Sequence, residues 1–323
     1  MSPFLEANLA FLRALAELRT PLLDTLMALV THLGEETLFM VIALTVFWCV
    51  DKRRGYYLLL VGFGGTVINQ ALKITFRIPR PWVLDPEFEI VEAARAQATG
   101  FSFPSGHTQN AVGTLGGLAR TSNRLWVRVV CVVLALAVAF SRLYLGVHTP
   151  LDVGVSLLVA AALVFALAPA LEEAKRRPHY MLHLWLLLLI PSVLYLLYAL
   201  HVRESLGGAA ELDSAVKNGW TLLGAVLGVL VTILADEHYN RFETGAVWWA
   251  QILKVALGLV LVVAVRSGLK APLRALFGAG SVGDGIRYFC MVLSAGVLWP
   301  MTFRWFARLG GRSSLGSLDR GQF

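Results

Sequence analysis

The sequence predicts an all-α protein: a polytopic integral membrane helical bundle of about nine transmembrane helices, with an N-terminal interfacial helix. Of its 323 residues, 57% are hydrophobic and only 15% are charged, and the mean hydropathy is +0.67. A soluble domain carries about a quarter charged residues. Several apolar runs are long enough to cross ~30 Å of hydrocarbon at ~1.5 Å per residue. These runs argue against the alternative, a large soluble all-helical core.

Nine apolar segments are the predicted spans. The first and the third are short for a full crossing, so flanking residues or local thinning of the bilayer would have to complete them. The segments are 36–50, 55–75, 105–120, 125–145, 150–172, 181–200, 216–235, 246–266 and 284–305.

The N-terminal residues have a different pattern. Residues 4–18 place apolar groups at helical spacing beside Glu6, Arg13 and Glu17, which predicts an amphipathic helix lying at the membrane interface. Residues 21–33 are apolar but too short to span, so we expect a re-entrant or interfacial segment. No cleavable signal peptide is expected. The predicted division is an N-terminal segment 1–34, a transmembrane core 35–173, accessory helices 174–306 and a cytoplasmic tail 307–323.

The basic residues predict the orientation of the bundle. Clusters such as "DKRRG" (51–55) and "EEAKRRPHY" (172–180) follow odd-numbered spans, and basic loops are retained on the cytoplasmic side. The loop 76–104 and the turn 142–150 then lie on the extracytoplasmic face. The segment "RSGLKAPLR" (266–274) is a basic exception on that face. The basic clusters between the apolar segments account for the net charge of +7. Membrane orientation explains these clusters, so no nucleic-acid partner is expected.

Two cations and a proline break form the first polar stretch on the extracytoplasmic face, "KITFRIPRP". Lys73 and Arg80 are separated by six residues. Pro79 and Pro81 prevent the helix from continuing, so the chain leaves the membrane between the two cations. Both side chains can then turn toward one point.

The second polar stretch, "PSGH", opens the third span. Ser105 and Gly106 begin a helix there, and the free N–H groups and the dipole of a helix N-terminus attract an anion. Gly106 lets a ligand approach the backbone closely. His107 follows, where it could protonate a departing oxygen.

The third polar stretch is "SRLYLGVHTPLD". Arg142 supplies a planar fork that suits phosphate oxygens. His148 and Asp152 are four residues apart, one helical turn, so that the carboxylate can fix the imidazole tautomer and leave the other nitrogen as a nucleophile. A single histidine, arginine or lysine at such a position has an ordinary explanation, because polar side chains commonly reach the membrane interface by snorkelling. Together on one face, they indicate a site for a phosphoryl group whose charge grows in the transition state.

These stretches resemble the three motifs of the type-2 phosphatidate phosphatase superfamily, K-x6-RP, PSGH and SR-x5-H-x3-D. Every defined position matches, over about residues 36–172. The resemblance implies that His148 forms a phosphohistidine, that Asp152 orients it and that His107 is the general acid. It implies that five further motif residues hold the phosphate. They are Lys73, Arg80, Ser105, Gly106 and Arg142.

The resemblance implies a membrane phosphatase that needs no metal or other cofactor. The span count is similar to the glucose-6-phosphatase and sphingosine-1-phosphate phosphatase branches. The expected substrates are polyprenyl diphosphate, phosphatidate, phosphatidylglycerophosphate or a long-chain-base phosphate. A sugar phosphatase of the glucose-6-phosphatase type is one alternative, and a non-catalytic lipid-phosphate binder or transporter is another. The related vanadate-dependent haloperoxidases are soluble, which this composition disfavours.

The expected location is a bacterial inner membrane, with the site facing the extracytoplasmic side. The expected partners are an amphiphilic phosphate substrate and membrane lipids. A homodimer is left open. Three polar residues at the start of the first span have two explanations, a gate for substrate or a simple interfacial turn. They are His32, Glu35 and Glu36.

Overall fold

The computed structural model describes residues 3–177, 179–207, 210–278 and 280–309, and those residues form helices and loops without a β-strand. Residues 310–323 of the predicted tail lie outside the described residues. The α-helices are α1 Pro3–Ala16, α2 Pro21–Thr31, α3 Glu36–Cys49, α4 Lys52–Phe76, α5 Pro81–Leu84, α6 Gly106–Thr121, α7 Leu125–Tyr144, α8 Pro150–Leu167, α9 Pro169–Arg176, α10 Tyr180–Leu206, α11 Ala210–Ala235, α12 Trp248–Gly268, α13 Lys270–Phe277, α14 Ser281–Leu293 and α15 Phe303–Arg308. The all-α prediction is confirmed.

The prediction of about nine spans compares with seven or eight candidate spans among the described residues. Each of the nine apolar segments is helical, but only seven helical stretches of the described chain are long and apolar enough to cross a membrane alone. An eighth span results if α2 and α3, which meet at a bend of 49°, cross together. The 16-residue α6 is too short by the same measure. The bend agrees with a broken or re-entrant segment at residues 21–33.

Short-range capping fixes the helix ends that carry the polar stretches. Helix α8 begins at Pro150, and its N-cap Thr149 forms a reciprocal capping box with Asp152. Helix α6 begins after Ser105, whose hydroxyl accepts the N–H of Thr108. Both helices therefore start at fixed residues, and the side chains of their first turns have defined positions.

The chain packs as two compact units. Unit 1 contains the described residues up to Met40, Tyr57–Glu172 and Leu197–Val216; unit 2 contains Val41–Tyr56, Glu173–Leu196 and the described residues from Lys217 onward. The four-part division drawn from the sequence stays a prediction.

Within unit 1, helix α6 packs against α7 and α8 around small and aliphatic side chains. Ala135 and Ala160 are buried there beside Val112, Leu115 and Cys131. Tyr57 of α4 donates its hydroxyl to the carbonyl of Val164, 2.7 Å away. These contacts hold the helices that bear all three motifs in one unit.

The N-terminal helices are tied to the core of unit 1 by polar contacts. Arg13 pairs with Asp85 at 2.6 Å. Arg19 donates to the carbonyl of Tyr144 at 3.1 Å and lies over the ring of Phe88. The predicted amphipathic helix at residues 4–18 is present as α1, and α2 packs along α7.

Unit 2 contains its own buried polar anchors. Trp48 is fully buried and donates its indole N–H to the carbonyl of Ala295 at 2.9 Å. Lys254 is also fully buried; its ammonium group donates to the carbonyl of Thr244 at 2.9 Å and lies over the ring of Phe303. Both contacts satisfy polar groups that burial would otherwise leave unpaired.

Gly146, in the turn between α7 and α8, is predicted to be intolerant of a side chain. Its φ of +76° is in the left-handed region, and an added Cβ would lie 2.6 Å from the guanidinium of Arg19 and 2.9 Å from the ring of Phe88. Gly146→Ala should reduce the unfolding free energy by about 1–3 kcal/mol. This appears as a lower melting temperature of the full chain in detergent.

Gly154→Ala is the matched control. An added Cβ at this α8 position meets nothing within 4 Å, and alanine is the better helix former. Its melting temperature should equal or exceed that of the wild type. Equal melting temperatures for the two variants would contradict the packing described for Gly146.

Candidate active site

The structure brings the three polar stretches to one place in unit 1. The end of α4, the loop before α6, the start of α6 and the turn between α7 and α8 meet there. The backbone N–H of Ser105 donates to the carbonyl of Asp152 at 3.1 Å, and that of Ser102 donates to the carbonyl of Ile78 at 2.8 Å. We use the term anion pocket for the group formed by Lys73, Arg80, His107, Arg142 and His148.

His148 is almost fully buried and its two ring nitrogens face different partners. Nδ1 lies 3.4 Å from the Oδ2 of Asp152. Nε2 lies 3.0 Å from the Nη1 of Arg80. A guanidinium can only donate, so Nε2 must be the unprotonated nitrogen and Nδ1 carries the proton that faces the carboxylate. The ring is thereby held as the tautomer whose lone pair points into the anion pocket.

Asp152 is held by two donors besides the imidazole. Its Oδ2 accepts the backbone N–H of Thr149 at 2.8 Å and the hydroxyl of Ser102 at 2.6 Å. The same Ser102 oxygen lies 3.5 Å from the Nδ1 of His148. Ser102 therefore belongs to the site, although it lies outside the three motifs and nothing in the sequence singles it out.

Arg80 is fixed by backbone carbonyls of the loop before α6 and of the turn before α8. Its Nη2 donates to the carbonyl of Thr99 at 2.7 Å, and its Nε donates to that of Gly100 at 3.0 Å. Nη1 also donates to the carbonyl of Val147 at 2.9 Å. These bonds orient the guanidinium toward His148. Arg80 is therefore already positioned to bind an anion beside that imidazole.

Lys73 and Arg142 approach the pocket from two other helices. The Nζ of Lys73 donates to the carbonyl of Phe101 at 2.7 Å. The Nη1 of Arg142 donates to the hydroxyl of Thr31 at 2.7 Å, and the side chain is 1% exposed. Thr31 at the end of α2 is a second site residue that the sequence did not reveal.

The start of α6 presents free donors to the pocket. The first backbone N–H groups of a helix have no partner within it, and here they belong to Gly106 and His107. An added Cβ on Gly106 would meet nothing within 4 Å, so this side of the helix end is open. The arrangement is suited to an anion resting on the helix N-terminus.

Several buried side-chain atoms of the site have no hydrogen-bond partner among the described residues. They include the Nε of Arg142, the Nε2 of His107 and the Oδ1 of Asp152. Buried polar groups are normally paired, and unpaired ones need an explanation. A ligand with several acceptor oxygens would satisfy the two nitrogens and offset the excess positive charge.

His148, in the turn between two spanning helices, has a pKa well below the usual histidine value. Burial is the largest cause, and the positive charges of Arg80 and Arg142 act in the same direction, with smaller effects from Lys73 and His107. These groups therefore surround the imidazole. A neutral ring at pH 7 keeps an Nε2 lone pair, which can act as a nucleophile once a phosphoryl group replaces the hydrogen bond from Arg80.

The sequence of the chain is similar to those of known proteins. The PAP2 superfamily model matches residues 54–176, and the model described as PAP2 superfamily phosphatase, transmembrane extension, matches residues 220–312. Phosphatidylglycerophosphatase B of Bacillus subtilis (strain 168) is 30% identical over 53% of this chain and 86% of its own length. The chain belongs to the PAP2 superfamily. It is a phosphatase and an integral membrane protein, as the resemblance of its motifs implied.

Two further relatives come from the same superfamily. Undecaprenyl-diphosphatase BcrC of Bacillus subtilis (strain 168) is 30% identical over 44% of this chain and 72% of its own length. A probable sphingosine-1-phosphate phosphatase of Dictyostelium discoideum is 32% identical over 46% of this chain and 38% of its own length. All three relatives bear the names of lipid phosphatases.

A polar cluster lies beside the pocket. His32 Nδ1 is 2.6 Å from the Oε1 of Glu35, and the amide nitrogen of Gln97 is 3.1 Å from both. The carbonyl of Gly34, between these residues, accepts a hydrogen bond from Asn110 of α6 at 3.4 Å. The gate and the interfacial turn considered for His32 and Glu35 both fit this position, so the gate stays a prediction.

Removing the hydroxyl of Ser102 tests the orientation of Asp152. Hydrogen bonds to charged groups contribute about 1.5–3 kcal/mol, so Ser102→Ala should lower kcat by roughly tenfold or more with little change in KM. Phosphate release by the purified chain gives both constants.

Ser141→Ala is the control for this prediction. Ser141 is also a buried serine and belongs to the third motif, but its hydroxyl donates to the carbonyl of Val138 within its own helix. Its kcat should stay close to that of the wild type. Equal losses in the two variants would show that the Ser102 contact has no specific effect.

Proposed function

We propose that this PAP2 phosphatase hydrolyses the phosphomonoester or diphosphate of an amphiphile through a phosphohistidine, without a metal ion. The observation that carries the proposal is the position of His148. Its Nδ1 faces Asp152, and its Nε2 faces a pocket that three cations share. This combines an oriented nucleophile with the charge that a phosphoryl group requires.

The first step is transfer of the phosphoryl group to His148. The Nε2 lone pair forms a bond to phosphorus while the bond from phosphorus to the leaving oxygen breaks. His107 donates its proton to that oxygen, which departs as an alcohol or a phosphate. Arg80, Lys73 and Arg142 stabilise the charge on the equatorial oxygens, with the N–H groups at Gly106 and the hydroxyl of Ser105 nearby.

The second step is hydrolysis of the phosphohistidine. A water molecule attacks phosphorus, and His107, now neutral, accepts its proton as a general base. The bond between phosphorus and Nε2 breaks, and the electron pair returns to the ring. Asp152 stabilises the positive imidazole during the first step and retains the Nδ1 proton throughout.

The protein supplies the electrostatic stabilisation from its own side chains. Two guanidinium groups, one ammonium group and a helix N-terminus surround one position, and each is held by named hydrogen bonds. Positioned cations act on developing phosphoryl charge in the same way as a metal clamp does. The proposed reaction therefore proceeds in the presence of a chelator.

The proposed substrate has an apolar tail. The three relatives are named for phosphatidylglycerophosphate, undecaprenyl diphosphate and sphingosine 1-phosphate. Phe76 and Val83, which flank Arg80 in sequence, are apolar side chains that are 57% and 59% exposed. Polyprenyl diphosphate, phosphatidate, phosphatidylglycerophosphate and long-chain-base phosphates are the candidates, and a sugar phosphate is the alternative.

The proposed setting is a bacterial inner membrane with the pocket on the extracytoplasmic side. The basic loops that follow the odd-numbered spans support this orientation. Helices in the accessory segment 174–306 carry none of the three motifs, and we propose that they serve packing, lipid contact or a dimer surface.

Loss of the nucleophile should abolish turnover. His148→Ala is expected to lower kcat by about a thousandfold or more, because a catalytic nucleophile is removed. The wild type, quenched during turnover of a ³²P-labelled substrate, should contain an acid-labile phosphohistidine that this variant lacks.

His201→Ala is the matched control. His201 is exposed near the end of α10 and should leave both turnover and labelling unchanged. Equal phosphate release by wild type and His148→Ala would remove this site from the reaction. Release with no phosphohistidine in the wild type would retain the site but contradict the covalent step.

A substrate panel in EDTA tests the other two parts of the proposal. Phosphate release should persist in EDTA, because the pocket's own cations carry the electrostatic role. Values of kcat/KM should be at least about tenfold higher for tailed substrates than for short-chain or sugar phosphates, because the tail contributes apolar burial. Loss of activity in EDTA that added metal restores would contradict the metal-free reaction. A preference for glucose 6-phosphate would select the sugar-phosphatase alternative.

A further inference from the structure

Unit 2 contains a basic cavity that the phosphatase reaction does not use. It has a volume of about 450 Å³ and lies among the start of α11, the end of α12, helix α13 and the start of α14. We define the basic cavity by the five cationic side chains that line it, Lys217, Arg266, Lys270, Arg274 and Arg287.

The charges around the basic cavity are not balanced. Asp284 is the one acidic side chain among the described residues that line it; it pairs with Arg287 at 2.5 Å and lies 3.9 Å from Lys217. Arg266, Lys270 and Arg274 have no ion pair with any residue that the structure describes. Like charges around one cavity repel one another, and an anion in the cavity would remove that repulsion.

Arg287 provides a second observation that points to a ligand. The residue is only 8% exposed, and its Nε has no hydrogen-bond partner in the described part of the chain. A buried guanidinium with an unused donor is costly unless something accepts its hydrogen bond. Phosphate oxygens match the geometry of that fork.

The surroundings of the cavity favour a lipid as the source of the anion. Helix α13 carries Lys270 and Arg274 one turn apart, while Leu276 and Phe277 are 76% and 46% exposed on the same short helix. A helix with basic and exposed apolar side chains is typical of the membrane interface. Basic pockets between spanning helices bind phospholipid headgroups.

The segment 266–274 is also the exception in the charge pattern of the loops. Its basic residues lie on the predicted extracytoplasmic face, where the positive-inside bias disfavours them. A headgroup site would explain why this loop keeps them.

We propose that the basic cavity binds the phosphate-bearing headgroup of an anionic phospholipid, as a site separate from the anion pocket of unit 1. The cavity is lined by no histidine or cysteine among the described residues, so it has a binding role and no part in the chemical step. The proposal does not depend on the reaction assigned to His148.

Lipid binding by the full chain in detergent provides the test. The probes are dioleoylphosphatidylglycerol, dioleoylphosphatidylcholine and inorganic phosphate, and native mass spectrometry counts the retained lipid. The variant R266Q/K270Q/R274Q removes three exposed charges, for which little change in stability is expected. The control R124Q/R304Q/R308Q removes three exposed charges outside the cavity.

The wild type and the control should each retain one more phosphatidylglycerol than the cavity variant, with at least about tenfold preference over phosphatidylcholine. The cavity variant should lose that preference while its melting temperature stays at the wild-type value. Lipid bound in the anion pocket is common to all three proteins and cancels in the comparison. An unchanged preference in the cavity variant would overturn the site. Displacement of the lipid by micromolar inorganic phosphate would overturn the lipid assignment and indicate a soluble phosphate ligand.

Discussion

The central constraint on unit 1 is the burial of three cationic side chains and two imidazoles beside a single carboxylate, that of Asp152. Each charge would be costly to bury alone. Arg80 and Lys73 are stabilised by carbonyls of the loop before α6, and Arg142 by the hydroxyl of Thr31. The remaining excess of positive charge and the unpaired donors are what a phosphoryl group can satisfy. This excess of positive charge favours the binding of an anion, and it favours most the state in which the anion carries the most charge.

Helix ends are the architectural means by which this protein assembles the pocket. Proline breaks after α4, a serine cap at α6 and a capping box at α8 each fix where a helix begins or ends. Asp152 serves two purposes, because the carboxylate oxygen that caps α8 through the N–H of Thr149 also faces the Nδ1 of His148. Local folding of α8 therefore orients the proposed nucleophile. A change at this cap would alter the imidazole as well as the helix.

Much of this site could be predicted from the sequence, because its residues lie at fixed local spacings. His148 and Asp152 meet because they are one helical turn apart, and Arg80 follows Lys73 after a proline break. Ser102 and Thr31 could not be predicted, because they reach the site through long-range packing that leaves no spacing pattern. The helices were predictable from apolar runs, and the number of spans was predictable only approximately. Helix α6 is only 16 residues long, and α2 and α3 meet at a bend of 49°.

The central claim is that His148 and His107 face one anion site among the three cations, and a structure of the full chain with orthovanadate bound tests it most directly. Vanadate adopts the trigonal bipyramidal geometry of a phosphoryl group in transfer. Vanadium is expected to be bonded to the Nε2 of His148, with equatorial oxygens on Arg80, Arg142 and Lys73 and the apical oxygen near His107. Vanadate held elsewhere, or bound there with His107 turned away from the apical oxygen, would contradict it.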